Sequence, residues 1–353
     1  MSRFLSSGLS ALAAYVPGEQ PQDRRCIKLN TNESPYPPPP CVIDAVDRAQ
    51  MADLRLYSDP TCRMLREKLA ARYGVKENQV FASNGSDEIL NFAFMAYGEQ
   101  GAVFPDITYG FYKVFADLYG INVKIAPLLD DFTVDVSALC GRNNLVVLAN
   151  PNAPTGLALP LREVERIVAE NPNGVVVIDE AYVDFGAQSA LSLLPRYDNL
   201  LVVRTYSKSR SMAGARLGFA FGSADLIADL EKIKYATNPY NVNRLTQLAG
   251  AASLEDDDYF RQCCDQIIQT RAFVTKELRA TGFTVTDSLA NFVFAAHPRI
   301  GGEALYRALK NEGILVRHFD GERLANYNRI TIGSREEMEF FIETIRKIVE
   351  GIA

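Results

Sequence analysis

Short apolar runs alternate with helix-length segments through most of this chain, and that alternation restricts the fold more than any other feature. Runs at 80–82, 102–104, 122–125, Leu145–Ala149, 174–178, 200–204 and 217–221 read as strands. Between them, 62–73, 87–95, Leu161–Ala169 and 224–235 space their apolar residues three and four apart, as helices do. Strand and helix in alternation predict a mainly parallel sheet covered by helices on both faces. Ligands of such sheets bind beyond the carboxyl ends of the strands, so the residues standing there are the candidates for function.

The pattern changes in the last third. Residues 245–279 read as a long helical region with room for a break. Strands follow at 283–285, 291–295, 314–317 and 329–332, with helices at 304–311 and 335–352. This predicts a smaller α+β domain. At the other end, the run Ser34-Pro35-Tyr36-Pro37-Pro38-Pro39-Pro40 lacks the donors a helix or central strand needs, so an extended arm is expected. The expected division is an arm over 1–40, a large domain over 41–240 and a small domain over 241–353.

Composition narrows the function. With 353 residues, 48% of them hydrophobic, the chain can bury a sizeable core. No apolar run approaches the ~20 residues that cross a bilayer, and Met1 to Gly18 lacks the build of a secretory signal. A net charge of −6 argues against a nucleic-acid surface. The six cysteines are scattered without a CxxC pair and read as reduced thiols of a cytoplasmic protein. Two histidines, His297 and His318, exclude a histidine-rich metal centre, and no metal is expected. His318 is left outside the expected site.

Four strand ends carry polar clusters. They are Asn150-Pro151-Asn152-Ala153-Pro154-Thr155-Gly156, Asp179-Glu180-Ala181-Tyr182, Thr205-Tyr206-Ser207-Lys208 with Ala213-Gly214-Ala215-Arg216-Leu217-Gly218, and Ser83-Asn84-Gly85-Ser86-Asp87-Glu88. Each alone is ordinary: a turn, a helix cap or a solvated lysine. Their order and shared position at one sheet edge are not.

In that order the clusters closely resemble those of the fold-type I aminotransferases, from Leu29 to Gly333. The resemblance implies an α/β fold with a large domain built on a mixed, mainly parallel seven-stranded sheet, a smaller α+β C-terminal domain, and pyridoxal 5'-phosphate as cofactor. It makes Lys208 the lysine that holds the cofactor covalently and then moves a proton. Asp179 is the expected partner of the ring nitrogen. Tyr182 and Asn152 match the groups on the ring's phenolic oxygen, and Tyr109 the stacking aromatic. Ser86, Asp87, Ser207 and Arg216 match the phosphate cradle at a helix start. Tyr57 matches a tyrosine that reaches the neighbouring subunit's phosphate, which implies a homodimer with shared sites.

Within that superfamily, Tyr15-Val16-Pro17-Gly18-Glu19, Lys28-Leu29-Asn30-Thr31-Asn32-Glu33 and Val316-Arg317-His318-Phe319 resemble the histidinol-phosphate aminotransferases. The reaction so implied exchanges an amino group between glutamate and imidazole-acetol phosphate in histidine biosynthesis. Arg329, Arg317 and Tyr15 are then expected at the substrate anion. Asn328 and Ala14 depart from the family pattern close to those residues. An aromatic or broad-specificity aminotransferase and a threonine-phosphate decarboxylase stay open as alternatives.

Overall fold

The structure, a computed structural model, describes residues 9, 12–13, 15, 17–20, 26–47 and 51–351. Ala14 and the expected end of the last helix at 352 lie outside them. Its centre is a seven-stranded sheet of β2 (Val80–Ser83), β3 (Ala102–Pro105), β4 (Val123–Ala126), β5 (Leu145–Ala149), β6 (Val176–Asp179), β7 (Leu200–Thr205) and β8 (Gly218–Phe221). The order across it is β2-β8-β7-β6-β5-β3-β4, with β8 alone antiparallel to its neighbours. All seven expected strands are present, within about two residues at each end.

The central strands are apolar without interruption because both faces are covered. Val146, Leu148, Val176, Ile178, Leu200 and Val202 enter one core layer. Their chain neighbours Leu145, Val147, Val177, Leu201 and Val203 enter the other, as a period of two requires. Helices α2 (Arg63–Tyr73) and α6 (Leu161–Ala169) cover the first face through Leu65, Leu69, Val164 and Ile167. Helices α3 (Ser86–Tyr97), α4 (Phe111–Tyr119) and α7 (Ala224–Thr237) cover the second through Ile89, Phe92, Phe115, Leu226 and Leu230. Two further helices, α1 (Pro40–Asp47) and the single turn α5 (Val136–Leu139), complete this half. Neither α1 nor α4 is expected from sequence. Proline suits the first position of α1, where its missing N–H has no intrahelical partner.

The expected helical region 245–279 is two helices, α8 (Arg244–Ala252) and α9 (Asp257–Ala280), with Asp256 capping the second. α8 packs against α1 and α2 and gives Ala249, Ala251 and Ala252 to the first core layer. Beyond it lies an antiparallel sheet of order β12-β13-β10-β9, made of β9 (Thr284–Val285), β10 (Phe292–Ala296), β12 (Arg317–His318) and β13 (Tyr327–Thr331). α9 and the last helix α11 (Arg335–Glu350) close a separate core around Ile267, Val274, Phe292, Ile330, Phe341 and Ile345. A reciprocal cap between Ser334 and Glu337 fixes the start of α11. Helix α10 (Gly302–Asn311) joins this body.

The expected strand 314–317 is divided. β11 (Ile314–Leu315) pairs in parallel with β1 (Ile27–Lys28), while β12 pairs with β13. The arm is therefore anchored: β1 adds to the smaller body, Leu29 enters its core, and residues 36–39 form no helix or strand.

Candidate active site

At the carboxyl end of the large sheet the strand-end clusters converge on a cavity of about 320 Å³. Lys208, Asp179, Tyr182, Ser86, Asp87, Tyr109, Ser207 and Arg216 all line it. Register explains the meeting: Asp179, the last residue of β6, lies between Ala149 of β5 and Val203 of β7. Lys208 follows β7 by one short turn.

Asp179 is 5% exposed. Its Oδ2 accepts from the Tyr112 hydroxyl at 2.8 Å and its Oδ1 from the Ala181 N–H at 3.2 Å. Burial raises its pKa to about 6, against the pull of those two donors. The Lys208 amine donates to the Thr31 carbonyl at 3.1 Å and stands 6.0 Å from the centre of the Tyr182 ring. Burial lowers its pKa to about 8, helped by the Arg329 charge and opposed by Glu33 and Asp87. Tyr182 accepts from the Asn32 side chain at 3.0 Å, and burial raises its phenol, with Arg329 pulling the other way.

The other end of the cavity suits an anion. Gly85 at φ +81° precedes α3, and no side chain caps that helix, so its first-turn N–H groups and dipole face the cavity rim. A Cβ on Gly85 would stand 2.7 Å from Arg216 Nη2, so only glycine lets the guanidinium lie across the helix start. Arg216 Nη2 bonds Asp87 at 3.1 Å, and the Tyr109 hydroxyl donates to the same carboxylate at 2.8 Å. Ser207 is buried and accepts from the Thr205 hydroxyl at 2.9 Å.

Asn152, Tyr57, Arg329, Arg317 and Tyr15 are not on the cavity wall. The Asn152 amide spans Ile107, Thr108 and Thr155 at 2.9–3.1 Å. Tyr57 is 78% exposed and stacks on Tyr240. Arg329 and Arg317 face each other across β13 and β12. Arg329 donates to the Asn30 carbonyl at 2.9 Å and lies against Phe292 and Phe319, while its buried Nε has no partner among the described residues. Burial lowers its pKa. Tyr15 packs on Phe111, 4.3 Å between ring centres. Asn328, next to Arg329, is fully buried and bonds the Gly302 carbonyl at 2.9 Å, on the opposite side of the strand, since neighbouring residues of a strand point to opposite sides.

Sequence reasoning missed Asn32, Tyr112 and Thr31, which hold Tyr182, Asp179 and Lys208. Tyr112 lies at helical spacing from Phe115 and Ala116, which marks it as a core residue and does not reveal its bond to Asp179. Asn32 at φ +56° gave no signal beyond its place in the quoted segment.

The donor set fits pyridoxal phosphate: a lysine able to shed its proton, a buried carboxyl opposite, an aromatic wall, and an anion cradle of helix start, hydroxyl and guanidinium. The sequence profile of the aminotransferase class I and II family matches residues 24–345. A histidinol-phosphate aminotransferase of Marinomonas sp. is 51% identical over 96% of this chain and 97% of its own. One from Brachyspira hyodysenteriae is 47% identical over 99% and 100%. The crystal structure of histidinol-phosphate aminotransferase from Sinorhizobium meliloti in complex with pyridoxal-5'-phosphate has the same fold, at TM-score 0.88 and 23% identity over 100% of this chain and 99% of that one. The chain belongs to the class I and II aminotransferases, pyridoxal-phosphate-dependent enzymes of fold type I.

Proposed function

We propose that the protein exchanges an amino group between L-glutamate and imidazole-acetol phosphate, giving 2-oxoglutarate and histidinol phosphate for histidine biosynthesis. The relatives' activity supports the substrate pair. The observation that carries it is the cross-strand pair Arg317 and Arg329, with a buried Arg329 Nε left to donate. Glutamate presents a carboxylate on its reacting carbon, and histidinol phosphate a phosphate ester one carbon further. A forked guanidinium accepts either anion.

When bound, the cofactor supplies an electron sink for the bonds of the reacting carbon. In this reading Asp179 would hold the proton of the ring nitrogen, and Tyr182 and Asn152 would serve the phenolic oxygen. The N–H groups of Ser86 and Asp87 with Ser207 and Arg216 would hold the phosphate, and Tyr109 would cover the ring. The Lys208 amine would take the proton from the amino-bearing carbon of the substrate and deliver it two atoms away, to the carbon on the far side of the amino nitrogen. Tyr15 closes over the substrate beside Arg329.

We also assign a homodimer in the cytoplasm. Leu54, Leu56, Tyr57, Met64 and Tyr240 are exposed, with Tyr57 stacked on Tyr240, and a second copy would cover apolar side chains of this kind. Tyr57 would then serve the partner's phosphate site. No helix among the described residues is long and apolar enough to cross a membrane.

Arg329→Gln tests the shared anion site. Loss of a charged hydrogen bond of ~1.5–3 kcal/mol should weaken both histidinol phosphate and glutamate roughly 10–150-fold. An effect on glutamate alone would remove Arg329 from the phosphate-bearing substrate. The aromatic surroundings of Arg329, Phe292 and Phe319, favour one second reading, an aromatic amino-acid aminotransferase.

A further inference from the structure

Behind the cavity, a buried guanidinium joins the two turns that carry the reacting side chains. Arg204 stands on β7 shortly before Lys208, Glu180 directly follows Asp179, and Asp184 lies just beyond Tyr182. Arg204 Nε is 3.3 Å from Glu180 Oε2, and its Nη2 donates to Asp184 Oδ1 at 2.8 Å. The other Asp184 oxygen accepts from the hydroxyl of Ser209, the residue after Lys208, at 2.6 Å. Glu180 also accepts from the Ser189 hydroxyl at 2.6 Å and the Ala190 N–H at 2.5 Å. Arg204 is 6% and Glu180 2% exposed, and the guanidinium lies over the Tyr73 ring at 5.2 Å. None of Glu180, Asp184, Arg204 or Ser209 lines the cavity.

A buried ion network is a costly way to fill a core, because the desolvation of its charges consumes most of the attraction between them. An apolar cluster of the same size would serve stability as well. What the charged version adds is geometry: a planar fork accepts only one arrangement of two carboxylates. Here that fork fixes the turn holding Asp179 and Tyr182 against the turn holding Lys208.

We propose that Glu180, Arg204, Asp184 and Ser209 form a positioning chain that sets the Lys208 amine relative to Asp179 and Tyr182 for proton transfer. The chain rests on the roles proposed above for those three residues, and Lys208→Ala tests the role of the amine independently. None of the four touches substrate or cofactor; they act through their neighbours.

The test uses the cofactor-loaded protein with Ser209→Ala, Asp184→Asn and Arg204→Lys. For each, kcat and KM for glutamate are measured, and the absorbance of the lysine-linked cofactor is titrated against pH. Misplacing the amine by a fraction of an ångström should lower kcat about 10–100-fold while KM changes little. It should also move the midpoint of the absorbance titration by about half a pH unit or more. Ser209→Thr keeps the hydroxyl and should restore both. Because Ser209→Ala removes one oxygen, it keeps the test valid even where Arg204→Lys fails to fold. Wild-type kcat and titration in Ser209→Ala and Asp184→Asn, with only a lower melting temperature, would reduce the chain to a structural element and overturn the proposal. Loss of activity in Lys208→Ala alongside that result would leave the proposed reaction standing.

Discussion

Burial moves the two ionisable groups at the heart of the cavity toward each other on the pH scale, Lys208 down to about 8 and Asp179 up to about 6. A free amine is the reactive form, so Lys208 of the cofactor-free protein should react with a simple aromatic aldehyde tenfold faster per pH unit up to about 8 and then level off. Borohydride trapping and mass spectrometry read the rate; a break above pH 10 would show an amine unaffected by its surroundings. For Asp179 the folded pKa lies above the ordinary 3.8, so the folded state holds the proton more tightly than the unfolded one. The cost of ionising it in the cofactor-free fold is absent below 3.8 and complete above about 6. Asp179→Asn should therefore stabilise the cofactor-free protein at pH 8, by about 2–3 kcal/mol, with no gain at pH 3.5. Denaturant unfolding at the two pH values checks this, and the same variant should lose at least ~10²-fold in kcat. Both residues were legible in sequence because catalysis asks for a particular residue type at a strand end. Asn32 and Tyr112 were not, since each reaches its partner across many residues of chain and the sequence shows only the two ends.

Single elements carry their own constraints. β8 runs against the start of α3 so closely that a Cβ on Gly218 would stand 2.4 Å from the Ser86 nitrogen. Backbone cannot yield as a flexible side chain does, so Gly218→Ala should cost about 1–3 kcal/mol and displace the helix N-terminus from the cavity. Thermal unfolding together with cofactor affinity measures both effects; unchanged affinity would mean that the helix start does not hold the phosphate. At this scale the large sheet was readable because its central strands are buried on both faces and so are largely apolar. α4 was missed because its nine residues are rich in aromatic and polar types and directly follow the Thr108-Tyr109-Gly110 turn. The 314–317 run was read as one strand because nothing local says that half of it pairs with the arm. Only the tertiary fold decides that.

For the whole molecule we propose an arm, a large body and a small body, with the boundary at the turn between α8 and α9, since α8 packs into the large core and α9 into the small one. The arm, expected as an extended segment, is held by the pairing of β1 with β11 and places Thr31 and Asn32 at the cavity. The proposed shared sites make a sharp prediction. Mixing Lys208→Ala with Tyr57→Ala should form hybrid dimers in which one site has both residues intact, restoring tight cofactor binding and turnover that neither parent shows. No recovery after subunit exchange would place Tyr57 outside the partner's site. The reaction itself is tested most directly by single-turnover half-reactions of the cofactor-loaded protein. Histidinol phosphate, phenylalanine and threonine phosphate are mixed separately with it, the lysine-linked cofactor is followed by absorbance, and products are identified. Fast conversion by histidinol phosphate, reversed by 2-oxoglutarate, is expected. Equal or faster conversion by phenylalanine, or carbon dioxide released from threonine phosphate, would contradict it.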